Sequence, residues 1–342
     1  MTQEQLPHKK IINQLKKLET TNNKHQSTLI SDSIQDLITI SMLSQDTNNL
    51  KLINASIKEL LNSFKVFQPH KEKPKLCIFG SARTQKDHPN YLMTIEMTEK
   101  ITQMGYDIIT GAGPGIMEAG NKGAKEGSDF GLNILLPFEQ TANPYILGSD
   151  RLVNFKYFFT RKLIFVKETH ALVALPGGFG THDELFEVLT LIQTGRCAPR
   201  PIILLSNPKS NYWNRWHSYV KNQLYDRHYI SEEDLDLFKI TSNVDEAIQW
   251  IQEYYSIYHS VRYTDSSAII RVNKRVSQST LDHLSNAFSS IIPSGKIEQF
   301  DLSEIDNDHD IYPDKPRLVF QFDQTGYGKL NQLIIQLNEL EE

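Results

Sequence analysis

Pro176-Gly177-Gly178-Phe179-Gly180-Thr181-His182-Asp183-Glu184 follows the apolar run Ala171-Leu172-Val173-Ala174-Leu175 and precedes the amphipathic run Leu185 to Thr194. That order predicts strand, glycine turn, helix. A helix start carries N–H groups without partners and a partial positive charge. Glycines let an anion approach those donors closely. The same stretch puts a carboxylate, Glu184, in what reads as the first turn of the helix, beside the expected anion. A phosphate cradle next to a carboxylate points to chemistry on a phosphorylated substrate.

Outward from this motif the chain alternates. Strands are predicted at Lys75 to Phe79, Tyr106 to Thr110, Gly131 to Leu136, Ala171 to Leu175 and Pro201 to Leu205. Helices are predicted at Tyr91 to Met104, Ile116 to Glu126, Tyr157 to Lys167 and Thr181 to Thr194, with further helices to about Tyr258. Short, continuously apolar strands suit a parallel sheet covered on both faces. The expected fold class is α/β, a doubly wound, Rossmann-like parallel sheet with its ligand outside the carboxyl ends of the strands.

Before this domain, apolar residues at helical spacing predict two helices between Ser27 and Phe67, joined near Asp46-Thr47-Asn48-Asn49. Residues 1 to about 25 are polar and are expected to be frayed or loosely helical. After it, from about Ser266, a strand at Ala268 to Val272, a helix at Gln278 to Phe288, strands at Ile297 to Leu302 and Leu318 to Phe322, and a helix at Leu330 to Leu340 form a small α+β unit. The acidic loop Asp306 to Pro316 is expected to be exposed. The expected domains are therefore 1–70, 71–262 and 263–342. The last carries no catalytic constellation and reads as a packing, oligomerisation or regulatory module.

The 342 residues are 39% hydrophobic and 23% charged, enough for a sizeable core, and the net charge of −5 argues against a general nucleic-acid binder. Two distant cysteines, Cys77 and Cys197, offer neither a disulfide framework nor metal-ligand spacing. No apolar run approaches the roughly 20 residues of a membrane span, and the polar N-terminus has no signal-peptide core. A cytoplasmic protein without membrane contact is expected.

Two more strand ends carry loop chemistry. Gly80-Ser81-Ala82-Arg83 follows the first strand; alone it reads equally well as an ordinary turn. Thr110-Gly111-Ala112-Gly113-Pro114-Gly115 follows the second. The second loop has Ile116 where the dinucleotide fingerprint wants its third glycine, and it lacks the Gly-Lys-Ser/Thr of the Walker pattern. Both NAD-dependent redox chemistry and ATP hydrolysis lose support. Between the glycine loops lies Phe158-Phe159-Thr160-Arg161-Lys162, a basic pair on a helix that by itself reads either as a solvated face or as part of a site.

As a set, Gly111 to Ala119, Thr160-Arg161-Lys162 and Pro176 to Glu184 resemble the LOG (Lonely Guy) family of nucleotide monophosphate phosphoribohydrolases, once mislabelled lysine decarboxylases. The resemblance runs from about Lys75 to Tyr258, and the added segments are similar to the larger bacterial members. It implies hydrolysis of the N-glycosidic bond of a nucleoside 5′-monophosphate, giving free base and ribose 5-phosphate. It implies Arg161 and Glu184 as catalytic groups and phosphate contacts at Gly177, Gly178, Gly180 and Thr181. Gly80, Ser81, Gly113 and Gly115 are expected to line the same crevice, Met117 and Phe158 to stack on the base, and Lys162 to join the substrate-binding set.

The helix departs from the family's Met-His-x-Arg-Lys form, so base preference does not carry over. AMP is the first expectation; a cytokinin riboside 5′-monophosphate and a non-catalytic nucleotide or alarmone sensor are the alternatives. A lysine decarboxylase would need a Schiff-base lysine with pyridoxal phosphate, supported only by the position of Lys162. No cofactor or metal is required, and a homodimer or higher homo-oligomer is expected.

Overall fold

The computed structural model describes residues 24–43, 46–136, 141–301 and 312–341. The expectations for residues 1 to 23 and for the acidic stretch 306–311 lie outside the described residues. Two units are present, residues 1–58 and 59–342. The first holds helix α1 (Lys24–Leu43) and most of α2 (Thr47–Phe67), as the helical spacing predicts. Among the described residues, no helix is long and apolar enough to cross a membrane.

The second unit contains two sheets. The larger is built from β1 (Lys75–Phe79), β2 (Asp107–Thr110), β3 (Asp129–Ile134), β4 (Leu152–Phe155), β5 (Ala171–Ala174), β6 (Ile202–Leu205) and β7 (Lys239–Thr241). All its pairings are parallel, and its order is β4-β3-β2-β1-β5-β6-β7. Side-chain alternation divides its core in two. On one face Cys77, Phe79, Ile109, Leu172 and Leu204 pack against helices α5 (Phe158–Glu168), α6 (Phe179–Gln193) and α7 (Tyr212–Val220). On the other, Leu76, Ile78, Ile108, Val173 and Ile203 pack against α3 (Pro89–Gln103), α4 (Ile116–Gly123) and α8 (Val244–Tyr254). Helices on both faces explain why the strands read as unbroken apolar runs. The α/β, doubly wound expectation holds.

Sequence periodicity missed β4 and β7. Both are edge strands, β4 alternating buried and exposed positions and β7 only three residues long. Neither has the continuous apolar run of a central strand.

The second sheet is antiparallel, ordered β10-β11-β9-β8, from β8 (Tyr258–Tyr263), β9 (Ser267–Val272), β10 (Glu298–Phe300) and β11 (Arg317–Gln321). Helices α9 (Gln278–Ala287) and α10 (Tyr327–Leu340) close its core over Ile270, Leu318, Leu333 and Leu337. This is the expected small α+β unit, enlarged by β8, whose Tyr-His-Ser-Val-Arg-Tyr sequence mixes polar and aromatic residues. Helix α10 binds back on α8: the Tyr254 hydroxyl donates to Asn331 Oδ1 at 2.7 Å, and Asn338 Nδ2 donates to the Tyr254 carbonyl at 2.8 Å.

The β1 and β2 loops interlock at Gly115. This residue has φ +66°, and a side chain there would run into the backbone of Ser81 and Ala82. The Ile116 N–H donates to the Ser81 carbonyl at 3.1 Å across the same contact. Gly115→Ala is therefore expected to lower stability by at least ~1–2 kcal/mol, from backbone strain alone. Urea unfolding of the two proteins measures this, and an unchanged midpoint contradicts it.

Candidate active site

Successive strands leave β1 in opposite directions: β2, β3 and β4 on one side, β5, β6 and β7 on the other. Such a reversal opens a crevice at the carboxyl ends of the strands. The loops after β1, β2 and β5 meet there and enclose a cavity of about 970 Å³. The seam is held by Ser81 N–H, which donates to the Pro176 carbonyl at 3.2 Å.

Of the expected site residues, Gly80, Ser81, Gly113, Met117, Phe158, Arg161, Gly177, Gly178, Gly180, Thr181 and Glu184 all line this cavity. Gly115 and Lys162 are not on its wall. Gly115 serves the loop contact described above. Lys162 lies behind the wall, its Nζ 2.8 Å from Asp183, 3.3 Å from Glu184 and 2.8 Å from Glu187. The cavity also takes Arg83 and His182, which lie within the quoted loop motifs, and Asn133 and Tyr212, which no motif assigned to substrate. Asn133 gave one available signal, an amide inside an otherwise apolar strand. Tyr212 gave none, because it reaches the loop from 35 positions away.

Helix α6 begins at Phe179, with Gly178 as its cap. This corrects the expected register: Glu184 lies in the second turn. Phe179 and Gly180 are then the first helical positions, whose N–H groups have no intrahelical acceptor. The N–H of Thr181 already donates to the Gly178 carbonyl at 3.1 Å, so it is not a spare anion donor. Thr181 instead turns its hydroxyl over Gly177, where any side chain would collide with it. The Phe179 ring itself is 97% exposed beside the opening.

Glu184 is only 3% exposed. Its Oε1 lies 3.7 Å from Arg161 Nη2, and its Oε2 faces Lys162. Burial raises the pKa of this carboxyl; Lys162 and Arg161 pull it down but do not offset the burial. Arg161 is also buried, which lowers its pKa against the pull of Glu184, and a guanidinium remains charged at neutral pH. Its charge sits 5.2 Å from the Phe158 ring centre and 5.5 Å from that of Phe165, both close enough for cation–π attraction. Burial disfavours charge on Lys162 too, but hydrogen bonds to Asp183 and Glu187 outweigh this and raise its pKa.

The Tyr212 hydroxyl donates to the Gly177 carbonyl at 2.6 Å and lies 2.6 Å from His182 Nε2. A hydroxyl has one proton, so His182 must donate here from Nε2. Burial lowers the His182 pKa, consistent with a neutral ring. The pair braces the glycine turn through the Gly177 carbonyl.

A family model described as "Possible lysine decarboxylase" matches residues 115–251. A cytokinin riboside 5′-monophosphate phosphoribohydrolase of Arabidopsis thaliana is 24% identical over 192 residues, covering 55% of this chain and 86% of that protein. One from Oryza sativa subsp. japonica is 26% identical over 191 residues, covering 54% and 75%. The α/β domain is thus similar to the LOG family. Among solved structures, the Moco carrier protein from Chlamydomonas reinhardtii is 22% identical, with a TM-score of 0.38, over 53% of this chain and 97% of that one. The motifs that carry the LOG resemblance are the loops that converge on the crevice.

Tyr212→Phe removes the donor to Gly177 and the acceptor for His182. It is expected to lower stability by ~1–2 kcal/mol, the cost of leaving a partly buried carbonyl and N–H unpaired. Thermal and urea unfolding measure this, and wild-type stability in the variant contradicts the bracing role.

Proposed function

We propose that the α/β domain hydrolyses the N-glycosidic bond of a nucleoside 5′-monophosphate. The observation that carries this reading is the buried Glu184 carboxylate on the crevice wall, in the second turn of a helix whose start is able to take a phosphate. In this scheme the Phe179 and Gly180 N–H groups and the Thr181 hydroxyl hold the 5′-phosphate and fix the ribose. As the bond from C1′ to the base nitrogen breaks, positive charge develops on the ribose ring. Glu184 stabilises that charge or takes a proton from the attacking water. Water supplies hydroxyl to C1′ and a proton to the base. Arg161, always protonated, binds the base or phosphate electrostatically and does not act as the acid.

Lys162 supports this reading over amino-acid decarboxylation. A Schiff-base lysine must become neutral to react. Three carboxylates surround this ammonium and favour its charge.

For the base, the cytokinin riboside 5′-monophosphate alternative has more support than AMP. The named plant relatives act on that class. The crevice wall also includes Met117, Ile134, Leu136 and Phe158, apolar surface that suits an alkenyl group on the purine N6. A panel of AMP, GMP, IMP, CMP, UMP and isopentenyl-AMP, followed by release of free base, checks this. Isopentenyl-AMP is expected to give the highest kcat/KM; a clear preference for AMP reverses the choice of substrate.

Glu184→Gln is expected to keep nucleotide binding and lower turnover by at least ~100-fold, in the range of a lost general base. Because the Glu184 pKa is raised, activity requiring its anion falls as pH drops, with the midpoint above the ordinary value of 4.5. A pH–rate profile of both proteins reads this limb, which the glutamine variant lacks. Wild-type turnover in that variant removes Glu184 from the chemistry, and binding without product in the wild type favours a sensor.

A further inference from the structure

The amino ends of the parallel strands, opposite the crevice, border a second cavity of about 430 Å³. We propose that it binds a nucleoside di- or triphosphate, as a site separate from the crevice. The proposal does not depend on the reaction assigned to Glu184.

Charge is the first argument. Lys71, Lys167, His170 and Arg200 lie on the cavity wall, and Lys75 is buried beside His170. The nearby carboxylates are Glu72, 3.4 Å from Lys71, Glu168, 2.5 Å from Lys167, and Asp107, 3.4 Å from Lys73 and close enough to act on Lys75. Lys71, Lys167 and Arg200 thus outnumber Glu72 and Glu168 by one positive charge among the described residues, while the Lys75 ammonium donates to the His70 and Lys73 carbonyls and is opposed by Asp107. Arg200 is held in place: its Nη1 donates to the carbonyls of Val166 and Thr169, and its Nε to that of Ala198. His170 accepts the Lys75 N–H at Nδ1, so its neutral ring carries a proton on Nε2, a donor for phosphate oxygen. Burial, and then the Lys75 and Arg200 charges, lower the His170 pKa to about 4.

The second argument is aromatic surface. Tyr106, Tyr255 and Tyr312 are half-buried on the same wall. Tyr255 is oriented by its hydroxyl, which donates to the His170 carbonyl at 2.6 Å. Cations that suit phosphates beside tyrosine rings that suit a base match a nucleotide better than an inorganic anion.

The third argument is position. Tyr258, His259 and Ser260 of β8, Asn273 after β9 and Tyr312 before β11 complete a wall whose remainder comes from the α/β domain. Helix α5 runs from Arg161 in the crevice to Lys167 at this cavity. Strand β5 lies between His170 here and the glycine turn there. A ligand here therefore touches the two elements that carry Arg161 and the Pro176–Glu184 loop.

The probe is ADP, with pyrophosphate and adenosine as its two halves, titrated calorimetrically into the full chain carrying Arg161→Ala to weaken the crevice. The expected result is one ADP site, tighter than for either half. Lys71→Glu/Lys167→Glu is expected to weaken it at least ~10-fold, since two attractive charge contacts become repulsive. In the Arg161 background this change leaves the melting temperature unaltered, and in the wild-type background it leaves basal ribotide turnover unaltered. If the double reversal misfolds, Lys71→Gln/Lys167→Gln gives the same reading with a smaller loss. No ADP binding, or ADP affinity untouched by these changes, overturns the proposal. Pyrophosphate binding as tight as ADP overturns the nucleotide assignment.

Discussion

Strand β1 pairs with β2 on one side and β5 on the other, and the chain builds outward from it both ways. The loops that follow these three strands therefore cannot cover one another, and a crevice stays open above the seam. The Ser81 N–H to Pro176 carbonyl bond closes its floor, and Gly115 permits the β1 and β2 loops to touch. Every group assigned to the site is placed by this arrangement: the glycine turn after β5, the start of α6, and Arg161 on α5.

The second consequence is electrostatic. A carboxylate buried to the extent of Glu184 is costly unless charges oppose the loss of water. Arg161 and Lys162 come from one helix and Glu184 from another, so the ion cluster also locks α5 against α6 at the crevice wall. Lys162 is further balanced by Asp183 and Glu187, which leaves Arg161 as the cation on the cavity side. Adjacent residues on one helix thus divide into a supporting ammonium and a cavity-facing guanidinium. Helix periodicity explains the division: neighbouring positions point about 100° apart.

Much of the site was legible in the sequence because its chemistry is local. Glycine density after an apolar run marks a strand-to-helix turn, and the Pro176–Glu184 stretch carries cap, helix start and carboxylate within nine positions. The register was less legible. Without coordinates, nothing distinguishes Phe179 from Thr181 as the first helical residue, and that choice decides which N–H groups are spare and which turn holds Glu184. Lys162 and Gly115 also read as ligand contacts, since a basic residue or a glycine in a motif looks the same whether it faces substrate or protein.

By itself, the sequence determined the layering of the α/β domain, the places where its glycine loops fall, and its similarity to the LOG family. These follow from short-range patterns: unbroken apolar runs, helical spacing and glycine punctuation. Only the tertiary structure decided which groups meet. Tyr212 braces Gly177 and pairs with His182, Asn133 enters the wall from β3, edge strands β4 and β7 extend the sheet, and β8 joins the antiparallel sheet. It also brought Lys71, Lys167, His170 and Arg200 around a second cavity. Such contacts join residues tens of positions apart, and their energy depends on distances that no local pattern encodes.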